Sequence, residues 1–295
     1  MSITDTHENF LSSSEQSPPS GEKLQKVLAR RGLGSRREIE TWISNRRVLV
    51  NGEVAKLGDR VGPDDYLTVD GEQLGGGIVE QKHRCIIYHK PVGQICSRKD
   101  PKNRKTVFDD LPKLSCGRWI SVGRLDYNTS GIILFTTDGD LAHALMHPSS
   151  KIEREYIVRV RGQVKKEHLE NMAEGIILDG RLARFSDIQY GSGEGSNSWF
   201  YVVLMEGRNR EVRRLWESQG LSVSRLKRVR FGPIFIPSKL KQGNWMEISA
   251  PMSRQLYEMV SLSFEQVKVD SKQVKTMNKS FNSRTGKKIQ KSTKK

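Results

Sequence analysis

The sequence predicts an α+β protein in which a small N-terminal domain is joined by a glycine-rich linker to a larger domain built on an antiparallel or mixed sheet. Two helical patterns and a hairpin signal come first along the chain. A run of three glycines follows at residues 75–77, and many short strand patterns with few helices fill the rest. At 295 residues, the chain is long enough for two modest hydrophobic cores.

The chain is strongly basic, with a formal net charge of +16 and a pI near 9.8. Such an excess favours a polyanionic partner, nucleic acid before membrane. Residues 1–20 are rich in Ser and Pro, carry three acidic residues and no Lys or Arg, and are predicted to be disordered. Residues 263–295 are predicted to be a disordered basic tail that contacts RNA through charge.

The cysteines, Cys85, Cys96 and Cys116, contain no Cys-x-x-Cys pair, so we expect neither a disulfide framework nor a zinc site. No signal peptide or membrane-spanning run is recognisable, and we expect a cytoplasmic protein without a membrane partner. His143 and His147 have the spacing of helical metal ligands, but no Glu follows His143 and no third ligand is evident. Neither a metal nor a cofactor is predicted.

The small domain is predicted over residues 22–74. Leu24, Val27 and Leu28 have the spacing of a buried helical face, and Ser35 and Glu38 have that of a capping box opening a second helix. An Asn-Gly pair at residues 51–52 predicts a β-hairpin, and a further strand is expected at 65–70. Basic side chains near the two helices are either a solvated face or RNA phosphate contacts, and we favour the second interpretation. The predicted RNA-binding residues are Lys23, Lys26, Arg30, Arg31, Arg36 and Arg37.

The linker is predicted at residues 75–82 and the large domain at 83–262. Its predicted strands are 85–88, 118–122, 132–136, 151–160, 185–190, 199–205, 222–232 and 245–248, with a hairpin loop at 191–196. Its predicted helices are 140–146, 165–174, one that begins within 206–216, and 253–261. Residues 90–93, Lys-Pro-Val-Gly, are interpreted as a structural turn.

A polar loop bounded by Gly123 and Gly131 joins two of these strands and presents Arg124 and Asp126. Functional sites are often built on loops held by a rigid frame. A plain β-turn would use the same residue types, so composition alone leaves both interpretations open.

Residues 123–131 read Gly-Arg-Leu-Asp-Tyr-Asn-Thr-Ser-Gly and are followed by an apolar strand and by Asp-Gly at 138–139. This pattern resembles the signature of the RsuA/RluB family of pseudouridine synthases, and the resemblance extends over about residues 22–262. It implies an S4-like RNA-binding domain at 22–74 and a pseudouridine synthase catalytic domain at 83–262. The implied activity is an isomerase reaction on RNA that uses no cofactor and no metal.

The resemblance also implies roles for individual residues. Asp126 would be the catalytic carboxylate, attacking C1′ or C6 of the uridine or removing the C2′ proton, three routes that stay open. Tyr156 would stack on an extruded base. Arg213 would pair with Asp126 and keep it ionised, and Arg214 is the alternative if the register slips by one residue. The resemblance places Leu226 against the target base and Arg124 at the RNA backbone. Arg210 and Arg214 are predicted to bind substrate because the helical period points them toward solvent, where phosphate can be reached.

The implied substrate is a uridine of 23S rRNA near the peptidyl-transferase centre, at position 2605, in free rRNA or in a large-subunit assembly intermediate. We expect the protein to act as a monomer in rRNA processing and ribosome biogenesis.

Sister enzymes with the same motifs act on other rRNA sites, so another uridine is an alternative. A non-catalytic S4-domain assembly factor is a second alternative. A zinc deaminase is disfavoured because its His-x-Glu and Pro-Cys-x-x-Cys motifs are absent from the sequence.

Overall fold

The computed structural model of the protein describes residues 21–74, 83–98, 100–194 and 196–264. The predictions for the N-terminal segment 1–20, for the linker 75–82 and for most of the tail fall outside these residues. The chain divides into two compact units, one of residues 1–79 with 114–118 and one of residues 80–113 with 119–295. None of the described helices is long and apolar enough to cross a membrane.

The first unit packs two helices on short strands. Its elements are β1 (Glu22–Lys23), α1 (Leu24–Arg30), α2 (Arg36–Ser44), β2 (Val48–Val50), β3 (Glu53–Val54), β4 (Arg60–Val61), β5 (Leu67–Val69) and β6 (Glu72–Leu74). The predicted capping box at α2 is confirmed, because Ser35 and Glu38 exchange side-chain and backbone hydrogen bonds. The predicted hairpin is confirmed as well, with Asn51 and Gly52 both at positive φ in its turn.

The second unit carries the larger sheet. Its strands are β7 (Cys85–Lys90), β8 (Ile120–Val122), β9 (Ser130–Thr136), β10 (Arg154–Arg161), β11 (Ile176–Leu178), β12 (Arg181–Ala183), β13 (Asp187–Glu194), β14 (Asn197–Leu204), β15 (Ser222–Phe231), β16 (Ile234–Phe235) and β17 (Trp245–Glu247). Its helices are α3 (Gly139–Met146), α4 (Lys166–Glu174), α5 (Glu211–Glu217) and α6 (Ala250–Met259), with a 3-10 turn at Pro148–Ser150.

The large sheet is mixed, as predicted. Its main path runs β13-β14-β10-β15-β9-β7-β17, with β8 paired to β9 and β16 paired to β15. Neighbours are antiparallel except for β15 and β9, which run parallel. This parallel pair joins the two halves of the sheet, and it brings the start of β9 beside the middle of β15.

One hydrophobic core of this unit lies between the central strands and two helices. Leu141 and Leu145 of α3 and Leu256 of α6 pack with Ile132 and Leu134 of β9, and all five are buried. Because this core holds the middle of β9, the loop that precedes the strand is attached to a rigid element.

The structure differs from the sequence prediction in several places. The short strands β1, β4, β6 and β16 were not predicted. Strand β13 continues to Glu194, so the glycine-rich stretch predicted as a loop is mostly strand, with a register shift between Tyr190 and Ser192. The hairpin of β11 and β12 was not predicted. Its strands are three residues each, too short to show a clear alternation of apolar and polar residues.

Candidate active site

A cleft of about 930 Å³ lies in the second unit, at the start of β9 and across β10 and β15. It brings together five residues that the sequence analysis singled out from distant segments. These are Arg124, Asp126, Tyr156, Arg210 and Leu226. The convergence of a carboxylate, an aromatic ring and two arginines in one cavity is the arrangement expected of a binding or catalytic site.

Asp126 lies on the loop between β8 and β9, with its side chain half-buried at the cleft. The preceding residue, Leu125, is buried, and its backbone contacts the Cys96 thiol, with Sγ 3.2 Å from the carbonyl oxygen. The carbonyl oxygen of Asp126 accepts a bond of 3.0 Å from the backbone N–H of Thr129. The loop is therefore anchored through its main chain, which leaves the carboxylate available to a ligand.

Lys90, at the end of β7, is the strongest of these anchors. Its side chain is fully buried, and its ammonium group donates to three carbonyl oxygens. The acceptors are Pro91 at 3.0 Å, Asp126 at 3.1 Å and Thr129 at 2.8 Å. Desolvation lowers the pKa of Lys90 to about 8. The structural turn predicted at residues 90–93 does not account for the bonds from Lys90 to the loop, for which a lysine at the end of an apolar strand is the only signal in the sequence.

Gly131 lets β15 approach the Asp126 loop closely. It pairs with Arg228 at a φ of +120°, and a Cβ at this position would lie 2.2 Å from the Arg228 carbonyl oxygen. No side chain fits there, so glycine is required by the close approach of the two strands. The Arg228 side chain continues the contact by donating from Nε to the carbonyl oxygen of Ile132 at 2.8 Å.

Tyr156 and Leu226 form the floor of the cleft. Tyr156 lies on β10 directly opposite Arg228 of β15, and Leu226 is opposite Val158. Tyr156 is 7% exposed and Leu226 is 6% exposed, yet both line the cavity. A phenol ring beside an aliphatic side chain offers a flat apolar surface of the kind that holds an extruded base.

Arg213 lies on α5 and reaches the Asp126 loop without forming the ion pair that the resemblance implied. Its two Nη groups donate to the carbonyl oxygens of Val223 at 2.9 Å and Asn128 at 3.0 Å. Among the described residues, no carboxylate lies within 4.0 Å of it. Desolvation lowers the pKa of Arg213, while the nearby charge of Asp126 acts in the opposite direction. The Arg213 guanidinium thus connects the Asp126 loop to β15 through hydrogen bonds and lies near the Asp126 carboxylate.

The neighbouring arginines of α5 are placed differently. Arg214 forms a bidentate salt bridge with Asp179, with N–O distances of 2.6 and 2.7 Å, and does not line the cleft. Arg210, the residue before the helix, adopts a left-handed conformation with a φ of 50° and lines the cleft. The geometry therefore favours Arg213 over Arg214 as the partner of the Asp126 loop, and it leaves Arg214 without a contact to the cavity.

A pair of carboxylates at the start of α5 was not anticipated from the sequence. Glu211 is 3% exposed and lines the cleft together with Glu206. One oxygen of Glu211 accepts a 2.9 Å bond from the backbone N–H of Arg208, whose guanidinium also pairs with Glu206 at 2.9 Å. Burial, assisted by the neighbouring Glu206 carboxylate, raises the pKa of Glu211 to about 7. This pair could not be predicted from local sequence, because burial of Glu211 depends on how α5 packs.

The predicted RNA-binding cations of the first unit fall into two groups. Lys26 and Arg30 pair with Glu22, at 3.0 and 2.6 Å. Three others have exposed side chains, namely Lys23, Arg36 and Arg37, and Arg31 is half-exposed. Within the described residues, no group of three His, Cys, Asp or Glu side chains is arranged to hold a metal ion.

Comparison with known families gives two matches along the chain. Residues 22–66 match the S4 domain, and residues 84–218 match the family described as RNA pseudouridylate synthase. A solved structure titled "Crystal structure of pseudouridylate synthase" has a TM-score of 0.55 at 24% identity, covering 80% of this chain and 99% of that one. At this identity the likeness shows a shared fold.

Several curated proteins named "Ribosomal large subunit pseudouridine synthase B" are similar over most of this chain. The Pseudomonas aeruginosa protein is 59% identical over 232 residues, which are 78% of this chain and 60% of that protein. The Vibrio cholerae protein is 56% identical, with 82% and 76% covered. The Escherichia coli K12 protein is 53% identical, with 82% and 84% covered. The chain thus spans less than two thirds of the first relative and more of the other two.

Proposed function

The chain belongs to the RNA pseudouridylate synthase family and carries an S4 domain, and we propose from this premise that it isomerises a uridine of large-subunit rRNA to pseudouridine. The observation that carries the proposal is the position of Asp126. Its main chain is fixed by Lys90, and its carboxylate lies in a cleft floored by Tyr156 and Leu226.

The chemistry of the reaction fits this cleft. The bond from N1 of uracil to C1′ breaks, the base turns, a bond from C5 to C1′ forms, and the proton of C5 is lost while N1 gains one. No group leaves and no electrons are exchanged with a cofactor. One carboxylate suffices, in contrast to glycoside hydrolysis, where an acid and a second carboxylate are needed because water must enter. Asp126 is the group proposed to attack C1′ or C6, or to take the C2′ proton.

Other cleft residues would hold the base in place. Tyr156 would stack on the extruded base and assist removal of the C5 proton, while Leu226 would pack against the ring. Arg124 and Arg210 line the same cavity and can bind phosphates that flank the target. Arg213 would keep the carboxylate in position by holding the carbonyl of Asn128 and would favour its charged form.

The relatives named for the large ribosomal subunit support large-subunit rRNA as the substrate class. From the resemblance of the sequence motifs we further infer 23S rRNA as the substrate and position 2605, near the peptidyl-transferase centre, as the target. The protein would act in the cytoplasm as a monomer, on free rRNA or on an assembly intermediate. The S4 domain and the basic composition of the chain support a structured RNA partner.

Release of tritium from 23S rRNA labelled at C5 of uridine tests the proposal, because formation of the C5–C1′ bond expels that hydrogen. We expect release by the native protein and none by Asp126→Asn, with rRNA binding kept in both. Glu258→Gln, which removes an exposed carboxylate on α6, is the matched control and should behave as the native protein. Mapping of the product in the transcript then tests position 2605.

Tight rRNA binding with no release by the native protein would overturn the proposal in favour of a non-catalytic assembly factor. Release by the native protein at a different uridine would keep the activity and correct the target. Full release by Asp126→Asn would exclude Asp126 as the catalytic carboxylate.

A further inference from the structure

The four strands β13, β14, β10 and β15 have a second face, opposite the cleft. Along β10, Tyr156 and Val158 point to the buried side, so Ile157 and Arg159 between them point to the other side. The cross-strand partners continue this alternation on β14 and β15. We call this surface the outer sheet face and define it by Ile157, Arg159, Trp199, Tyr201, Arg225 and Lys227.

The strand register arranges the outer sheet face in two rows. In one row Arg159 lies between Trp199 of β14 and Arg225 of β15. The guanidinium of Arg159 is 6.0 Å from the centre of the Trp199 ring, within reach of a cation–π interaction. In the other row Ile157 lies between Tyr201 of β14 and Lys227 of β15.

The pairing of Arg159 with Arg225 is unfavourable in the free protein, because like charges directly opposite one another destabilise a sheet. No described carboxylate lies within 4.0 Å of either arginine or of Lys227. Arg230, further along β15, is different, since it pairs with Glu153 and Glu155 at 2.6 and 2.8 Å. The positive charge of the outer sheet face is therefore not neutralised within the described part of the chain.

Aromatic rings accompany these cations. Tyr201 is 41% exposed, and one edge of its ring lies over Gly191 of β13, so the ring lies along the sheet with part of its surface open to solvent. Trp199 is half-buried. A flat sheet that offers rings beside Arg and Lys is suited to an RNA strand, whose bases stack and whose phosphates bind cations. An acidic protein could also contact rings and cations, but the net charge of +16 and the S4 domain favour RNA as the occupant.

We propose that the outer sheet face binds an RNA strand of the substrate that lies outside the cleft, with phosphates at Arg159, Arg225 and Lys227 and a base on Tyr201. This inference rests on the proposed function for the identity of the RNA. The contact would supply affinity and orientation on a large substrate, while the target uridine occupies the cleft on the opposite side.

The test compares the full-length protein with Arg159→Ala/Arg225→Ala on a 23S rRNA transcript and on a minimal hairpin carrying the target uridine. Dissociation constants are measured over a series of salt concentrations. We expect the double variant to bind the transcript roughly tenfold more weakly and to lower the salt slope by about 1.5, since each phosphate contact contributes about 0.7–0.9. The double variant's loss of affinity for the minimal hairpin should be several times smaller than its loss of affinity for the transcript.

Lys165→Ala/Lys166→Ala is the matched control, because it removes two exposed positive charges from the start of α4. It should leave the salt slope near the native value. Tyr201→Ala should weaken transcript binding, and Tyr201→Phe should restore it, because a phenyl ring still stacks. The thermal midpoint of Arg159→Ala/Arg225→Ala should be unchanged or higher, since a like-charge pair is removed.

Equal transcript binding by the double variant and the native protein would overturn the inference. An equal loss in the Lys165→Ala/Lys166→Ala control would also overturn it, because the effect would then reflect net charge rather than this face. A failure of the proposed function is distinguishable, since it appears as absence of tritium release by the native protein whatever the binding data show.

Discussion

The ammonium group of Lys90 donates a hydrogen bond to the backbone carbonyl oxygen of Asp126 across 3.1 Å. The candidate catalytic residue is therefore positioned through its main chain by a buried cation on a neighbouring strand. Because the same ammonium group also binds the carbonyl oxygen of Thr129, it fixes the loop on both sides of Asn128. The Asp126 carboxylate takes no part in this bonding and stays available to the substrate.

Replacement of Lys90 by Met should loosen this loop. The aliphatic part is kept, but three carbonyl oxygens lose their donor, and we expect the free energy of unfolding to fall by about 2–4 kcal/mol. Tritium release should fall at least about tenfold, because a small displacement of a reacting group costs much of its rate. Urea unfolding and the tritium assay measure the two effects. Lys241→Met, at an exposed position, is the control, and a Lys90→Met protein equal to it in both assays would contradict the anchoring role.

Gly131→Ala should disrupt the contact between β9 and β15. Its Cβ would lie 2.2 Å from the carbonyl oxygen of Arg228, where neither backbone can move without breaking the parallel pair. We expect a loss of more than about 4 kcal/mol in urea unfolding, or no folded protein. Gly123→Ala is the matched control at a φ of +80° with nothing within 4 Å, and strain alone should cost about 1 kcal/mol there. Similar losses at both positions would show that the close approach is not the cause.

Arg213→Lys tests the role of a guanidinium that joins two segments. A lysine keeps the charge but cannot donate in two directions from one planar group to the carbonyl oxygens of Val223 and Asn128. We expect kcat to fall by roughly tenfold to a hundredfold with little change in rRNA binding, because the loop is displaced and the charge is kept. Arg254→Lys, exposed on α6, should have native kinetics. A native kcat in Arg213→Lys would show that charge alone matters at this position.

Glu211 should make stability depend on pH near neutrality. Its pKa is raised in the folded protein to about 7 from a usual value of 4.5, because of burial and of the adjacent Glu206 carboxylate. The folded protein therefore binds the proton more tightly, and the free energy of unfolding should fall by roughly 1–3 kcal/mol as the pH rises from about 5 to 7.5. Urea unfolding at a series of pH values measures this fall. Glu211→Gln should remove it, and an unchanged pH profile in that variant would assign the effect to other groups.

The sequence predicted much of this protein because many of its signals are local. The capping box of Ser35 and Glu38 and the Asn-Gly hairpin after β2 depend on residues a few positions apart, and both are found as predicted. The loop motif around Asp126 is continuous along the chain, so its resemblance to a known family could be read without a structure. Strand alternation placed Tyr156 and Val158 on one face of β10 for the same reason.

Contacts between distant segments could not be predicted in this way. The bond from Lys90 to Asp126 joins residues 36 positions apart. The approach of Arg228 to Gly131 depends on a parallel strand pair between residues 97 positions apart (228 − 131). The raised pKa of Glu211 depends on its burial, which local sequence does not determine.

The amino-acid sequence by itself thus determined the two-domain α+β plan, the motif carrying Asp126 and the basic character of the chain. Only the tertiary structure decided that Arg213 binds backbone carbonyls rather than the carboxylate and that Arg214 pairs with Asp179 away from the cleft. It also decided that no carboxylate of the described residues lies within 4.0 Å of the cations of the outer sheet face. The physical reason is the distance along the chain over which each kind of interaction acts. Propensities, caps and turns act over a few residues, whereas burial, hydrogen-bond partners and charge neighbours are set by segments that meet only after the chain has folded.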